Sequence, residues 1–243
     1  MIQWVWAFLD RPVERFDDSA RFWAAVTGTT VSAKRGAVSE FVTLEPAAGP
    51  GTLKMQAVPH GGRVHLDLDV ADVPGGRETA TRLGAALVLE HPDYAVFRSP
   101  AGLTFCLTPD GRAEPGARPP VTGPGGVSTR LDQICLDIGA SDIERETEFW
   151  RKLTGLPYRV GRRPEFAVLR GRPGLGYDLL LQRLDEDRPA SAHLDFATSD
   201  PAAAAEHHTE LGATVVERFE HWIVMADPDG YPYCLTARDP NGI

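Results

Sequence analysis

Apolar and polar residues alternate along Val64-His65-Leu66-Asp67-Leu68-Asp69-Val70. Successive side chains of a strand point to opposite faces, so His65, Asp67 and Asp69 share one face and the apolar residues the other. The apolar face must bury against helices, and the polar face must meet water or a cleft. Leu103 to Thr108 repeats the pattern, with Phe105 and Leu107 on the apolar side and Thr104, Cys106 and Thr108 opposite. Ile2 to Leu9 is rich in aromatic and β-branched residues and reads as a strand. Gln3, Val5 and Ala7 share one of its faces, and Trp4, Trp6 and Phe8 the other. A helical spacing then takes over. Asp17 or Asp18 is the expected N-cap, Phe22, Trp23 and Val26 form a buried stripe, and Gly28 is the expected left-handed stop.

The pattern returns. His193-Leu194-Asp195-Phe196 repeats the core of the first stretch at 193 − 65 = 128 positions on, and Cys106-Leu107-Thr108 returns as Cys234-Leu235-Thr236 at the same offset. A gapless match of this length is an internal duplication. Gln133, on the strand Leu131 to Ile138, stands where Gln3 does in the first half. Ser141-x-x-Glu144 reads as a capping box for the following helix. Within each half a strand–helix–strands plan occurs twice. The reading is α+β, with four βαβββ modules paired into two domains, each a cupped mixed sheet with helices outside. The expected boundaries are 1–110 and 130–243, joined by a Pro/Gly-rich linker over 111–129.

A length of 243 residues suits two such domains. A net charge of −9 argues against broad attraction to nucleic acid or anionic membrane. Cys106, Cys135 and Cys234 are an odd count without Cys-x-x-Cys spacing, which favours reduced thiols. No apolar run approaches membrane-spanning length, and the N-terminus lacks the pattern of a signal peptide. The expectation is a soluble cytoplasmic protein.

A curved sheet gathers its polar positions into a cup. The residues expected there are Gln3, His65, Asp67 and Cys106 in the first half and Gln133, His193, Asp195 and Cys234 in the second, with Thr104 and Thr236 beside them.

The tandem modules, the helix ends Phe22-Trp23…Thr27-Gly28 and Phe149-Trp150…Thr154-Gly155, and the hairpin Asp227-Pro228-Asp229-Gly230 resemble the vicinal oxygen chelate superfamily. That group includes glyoxalase I, bleomycin-resistance proteins and extradiol dioxygenases, and the chain looks most similar to its bacterial glyoxalase-like domain proteins. The resemblance covers both halves and implies the fold more closely than an activity. It implies a metal set of Gln3, Lys54, His65 and Cys106 in the first domain and Gln133, Leu180, His193 and Cys234 in the second. Lys54 and Leu180 do not suit a cation, and Cys stands where a carboxylate is expected. Asp67 and Asp195 are the nearby carboxylates, roughly 7 Å along the strand from each His. The resemblance with these departures implies a degenerate metal site; the residues fix no cofactor, and a divalent metal is the one the donors admit, with zinc the candidate for Gln-His-Cys.

Two functions follow from the resemblance. One is a protein that binds a small organic molecule in the cup. The other is a metal-dependent lyase, isomerase or dioxygenase acting on a small carbonyl or vicinal-dioxygen substrate. Partners are expected to be a small-molecule ligand, with no nucleic acid and no membrane. The duplicated chain is expected to be a monomer with an internal pseudo-dimer, or else a homodimer. Trp4, Trp6, Trp23 and Trp150 are read as core, and His207 and His208 as solvated. Cys106 and Cys234 are read as half-buried fillers rather than nucleophiles.

Overall fold

The computed structural model describes residues 2–110, 119–171 and 175–242. In the first half, β1 (Ile2–Pro12), α1 (Phe16–Thr27), β2 (Thr29–Val31), β3 (Phe41–Pro46) and β4 (Leu53–Val58) form the first module. The second module is β5 (Arg63–Val70), α2 (Val73–Arg82), β6 (Ala86–Glu90), β7 (Ala95–Arg98) and β8 (Thr104–Pro109). After β9 (Val121–Thr122) the plan repeats as β10 (Ser128–Ile138), α3 (Ile143–Thr154), β11 (Tyr158–Val160), β12 (Phe166–Leu169) and β13 (Asp178–Arg183). The last module is β14 (Ser191–Thr198), α4 (Pro201–Glu210), β15 (Thr214–Arg218), β16 (Trp222–Ala226) and β17 (Pro232–Thr236). The fold is therefore α+β with four βαβββ modules.

Each half supplies one mixed sheet. The first runs β2-β3-β4-β1-β5-β8-β7-β6 and the second β11-β12-β13-β10-β14-β17-β16-β15. The β5–β8 and β14–β17 pairs are parallel. Part of the segment expected as a linker joins the sheet. Its residues 111–118 lie outside the described residues, while β9 pairs antiparallel with the head of β10.

The chain groups into two compact units, one combining the second module with Ile134–Ala192 and the other combining Phe8–Arg63 with the fourth module. In the first unit, Phe149 and Trp150 of α3 pack on Phe105 of β8, with ring centroids 5.7 and 5.3 Å away. In the second unit, Trp23 of α1 stacks on Phe196 at 6.4 Å and meets Tyr233 edge-on at 5.3 Å. Both helices thus bury their stripes on the apolar faces of strands from the other half of the sequence. Burying aromatics of this size dominates core energetics.

The indole N–H of Trp23 and that of Trp150 each find a buried carboxylate. Trp23 Nε1 donates to Asp227 at 3.2 Å, and Asp227 also accepts from Arg11 Nη2 at 2.6 Å. Trp150 Nε1 donates to Glu146 at 2.8 Å, whose other oxygen accepts the Ala101 N–H at 2.8 Å. Burial pushes the Glu146 carboxyl above the usual range, against the pull of its hydrogen bonds.

Several local expectations change. Helix α1 starts at Phe16, directly after a 3-10 turn over Val13–Arg15, so Asp17 and Asp18 lie in its first turn and favour the helix dipole instead of capping it. The capping box at Ser141 does not form. Asp142 is the N-cap of α3 without a side-chain bond, and the Ser141 N–H donates to Asp187. Gly28 and Gly155 end α1 and α3 in the left-handed region, as their sequence positions imply. His208 is buried, on the packed side of α4 with Ala204 and Ala205. Its Nδ1 lies 2.9 Å from the Tyr233 hydroxyl. Burial lowers its pKa to about 4.

Candidate functional site

The polar side of β5 is covered. Every residue of β5 from Val64 to Val70 is buried, on both faces. The parallel register sets Asp67 opposite Cys106 and Asp69 opposite Thr108. His65 Nε2 lies 3.6 Å from Asp67 Oδ1, and one donor atom each of His65, Asp67 and Cys106 lies within 4.8 Å of the others. Asp69 is committed elsewhere, accepting Trp6 Nε1–H at 3.1 Å and the Thr108 hydroxyl at 2.7 Å.

The second half repeats the cluster more tightly. Asp195 stands opposite Cys234 in the β14–β17 register. Asp195 Oδ1 is 3.3 Å and Cys234 Sγ 3.5 Å from the same atom, His193 Nε2. All three residues are buried, Asp195 to 3 % exposure. Asp195 Oδ1 accepts no hydrogen bond among the described residues. Its partner oxygen Oδ2 is 3.8 Å from Arg238 Nη1. Arg238 in turn grips Asp132 of β10, with Nε 3.3 Å from Oδ2 and Nη2 on the other oxygen. Burial raises the pKa of Asp132 more strongly than Arg238 lowers it.

This convergence decides what the arrangement can do. A nucleophilic relay needs the thiol on one ring nitrogen and the carboxylate on the other. Here both approach Nε2, as ligands do around a common ion. Around a tetrahedral zinc, nitrogen–oxygen and nitrogen–sulfur donors stand about 3.4 and about 3.6 Å apart. The separations at His193 match that spacing. The donor set of imidazole, carboxylate and thiol also fits a borderline metal, and the buried Asp195 Oδ1 accepts no hydrogen bond among the described residues.

The structure brings together His65, Asp67 and Cys106, and His193, Asp195 and Cys234. It does not bring the two glutamines equally. Gln133 is buried on β10, two residues from Cys135 and on its face, though no hydrogen bond among the described residues joins it to the triad. Cys135 Sγ is 3.4 Å from Gln182 Oε1 and 3.9 Å from Asp137 Oδ1, a polar group that hydrophobic patterning did not single out. Gln3 is half-buried. Trp6 shares the face of Asp69, so alternation turns Gln3 to the opposite side of β1, away from His65. Trp6 is correspondingly a wall of the polar face and not of the helix-side core. Lys54 has its ammonium 5.4 Å from the centroid of the Phe8 ring, and Leu180 is half-buried in β13.

The glyoxalase-like domain family matches the chain twice, over residues 6–108 and 133–236. The chain belongs to that family. Its two glyoxalase-like repeats place it in the vicinal oxygen chelate superfamily, with structural neighbours of the same fold. A mutant 4-hydroxymandelate synthase from Streptomyces coelicolor is 16% identical, with TM-score 0.61 over 98% of this chain and 94% of that one. The 2,3-dioxygenase LapB from Pseudomonas sp. KL28 is 12% identical, with TM-score 0.62 over 97% and 92%. An extradiol ring-cleaving dioxygenase from B. fuscum is 16% identical, with TM-score 0.64 over 98% of this chain and 72% of that one. No curated protein matches the chain. Identities this low establish the fold alone. The helices α1 (Phe16–Thr27) and α3 (Ile143–Thr154) stand 143 − 16 = 127 apart, and the same offset makes Trp6 the counterpart of Gln133 in the first half. An indole N–H offers no lone pair, and the two halves therefore differ as donor sets. Among the described residues no helix is long and apolar enough to cross a membrane.

Proposed function

We propose that this glyoxalase-like protein holds a divalent metal of borderline softness in its second half and binds a small oxygen-bearing organic molecule beside it. His193, Asp195 and Cys234 would hold the metal, with Gln133 as a further oxygen donor on the neighbouring strand. The observation that carries the reading is the approach of Asp195 Oδ1 and Cys234 Sγ to one ring nitrogen, at 3.3 and 3.5 Å. A metal in such a site acts as a Lewis acid towards a coordinated oxygen. The chain's own contribution is to orient the donors. Arg238 lies 3.8 Å from Asp195 Oδ2, which would leave Oδ1 to the metal, and burial would keep water from competing for the site.

The dioxygenase neighbours and the duplicated donor clusters support a metal site. A lyase, isomerase or dioxygenase acting on a small carbonyl or vicinal-dioxygen compound is the enzymatic form of this reading. A metal-free pocket is the second reading, and the first half favours it. Trp6 there replaces a donor and Lys54 brings an ammonium to the sheet face.

Metal analysis of protein purified without chelator tests the proposal. We expect about one zinc, iron, nickel, cobalt or manganese per chain, lost in His193→Ala and kept in His65→Ala. Metal-free protein that takes up none of these ions in equilibrium dialysis would overturn it. So would metal lost through His65→Ala and retained in His193→Ala.

A further inference from the structure

A cavity of about 300 Å³ opens on the helix side of the second compact unit. Its walls include Val26 at the end of α1, Leu44 of β3, Leu53 of β4, Leu131 of β10 and Phe196 of β14. Phe196 and Asp195 are adjacent in β14, so the cavity and the His193 cluster lie on opposite faces of that strand. Four prolines, Pro46, Pro50, Pro119 and Pro120, stiffen the rim. The volume is at the lower end of the range of about 300–1,000 Å³ for small-molecule pockets.

The lining has one charged side chain, Arg130, and no Asp or Glu. Arg130 donates to the Gly242 carbonyl and makes no ion pair among the described residues. A guanidinium carries five N–H donors, so most of its capacity is left for a ligand. A cation beside apolar walls, with no acid in the lining, is complementary to a molecule with an apolar body and one anionic group. Carboxylate matches the planar fork of the guanidinium in two parallel hydrogen bonds.

We propose that this cavity is a second small-molecule site, separate from the His193 cluster, which takes a compact apolar carboxylate about the size of a two-ring aromatic acid. The walls exclude water from the body of the ligand, and Arg130 sets its orientation.

Calorimetric titration with 2-naphthoate, against the neutral 2-naphthalenemethanol, tests the assignment. We expect one saturable site per chain, with the alcohol binding roughly tenfold more weakly because it lacks the charge-assisted bonds. Arg130→Gln should erase that difference. Thr29→Trp and Ala48→Trp each place an indole in the cavity and should abolish binding with the unfolding midpoint kept. If one of the two fails to fold, the other carries the test. His193→Ala should leave the affinity unchanged. The proposal is overturned by no saturation at millimolar naphthoate, by binding that survives the filling variants, by equal affinity for acid and alcohol, or by loss of binding in His193→Ala.

Discussion

Asp195→Asn separates a residue kept for a ligand from one kept for stability. In the metal-free chain Asp195 is a poor structural residue. It is buried to 3 % exposure, one oxygen accepts no hydrogen bond among the described residues, and the nearest arginine, Arg238, is 3.8 Å away and already bound to Asp132. A buried acceptor without a partner costs about 1–3 kcal/mol. Replacing the carboxylate by a neutral amide of the same shape should therefore leave the metal-free protein as stable, or raise its melting temperature by a few degrees.

The opposite holds with metal. A ligand at 100 times its Kd stabilises the folded state by about 2.7 kcal/mol. For a chain of this size that is roughly 5–11 °C in melting temperature. Wild type with zinc should show that rise, and Asp195→Asn at the same zinc concentration less than about 2 °C. Differential scanning fluorimetry of chelator-treated protein, with and without zinc, measures both quantities. The reasoning fails if the variant is several degrees less stable without metal and still gains the full wild-type shift with it. Asp195 would then be a structural carboxylate.

The remaining predictions concern the scaffold that positions the clusters. Asp227→Ala removes the partner of the buried Arg11 and the acceptor of Trp23 Nε1, so it should cost about 3–5 kcal/mol in urea unfolding, as broken buried ion pairs do. A cost below about 1 kcal/mol would show that Arg11 finds water. Burial lowers the folded pKa of His208 from 6.5 to about 4. The unfolded chain therefore binds the extra proton, and this contribution, about 3 kcal/mol, is complete above pH 6.5 and is lost as pH falls towards 4. His208→Phe should flatten the stability–pH curve in that window, and an unchanged slope would remove His208 from its causes. Gly28 and Gly155 share the left-handed conformation, but a Cβ at Gly28 would lie 2.6 Å from the Val121 side chain and one at Gly155 would meet nothing within 4 Å. Gly155→Ala should cost about 1–2 kcal/mol and Gly28→Ala clearly more, with Val121→Ala recovering the excess. Equal costs would show that Val121 moves aside freely.

The period-two pattern of Val64–Val70 fixed which side of each sheet carries His, Asp and Cys, because alternation is a property of the strand itself. It could not set the reach of the side chains. Two positions along a strand separate backbones by roughly 7 Å, yet the tips of His193 and Asp195 meet at 3.3 Å. The carboxylate two positions along the strand thus stands beside the imidazole. The helical stripe of Phe22, Trp23 and Val26 announced a buried face without naming its cover, since an amphipathic helix fits any apolar sheet of the right curvature. Its cover includes Phe196 and Tyr233, far along the chain. His208 reads as solvated in the sequence for a related reason. Alanines mark no face by size, so the packed side of α4 is set by Tyr233 and not by its own sequence.

The pairing of Gln3 with Gln133 failed more instructively. It took identity of residue type as identity of position, at an offset of 133 − 3 = 130. The helix ends Phe22-Trp23 and Phe149-Trp150 are offset by 149 − 22 = 127, which pairs Gln133 with Trp6. An odd change in offset flips a strand's faces, so this slip alone moved Gln3 from the back of the sheet into the cup. The same duplication also shows that the halves have diverged where chemistry would sit. For Trp23, Asp227 on a hairpin supplies the buried acid, balanced by Arg11. For Trp150, Glu146 on its own helix supplies it, with no ion pair to Arg or Lys among the described residues. Both arrangements satisfy an indole N–H, so either holds the fold. The cup positions are not interchangeable in that way, because Trp6 cannot donate a lone pair and Gln133 can. If metal chemistry survives in this chain, the second half is where the side chains allow it.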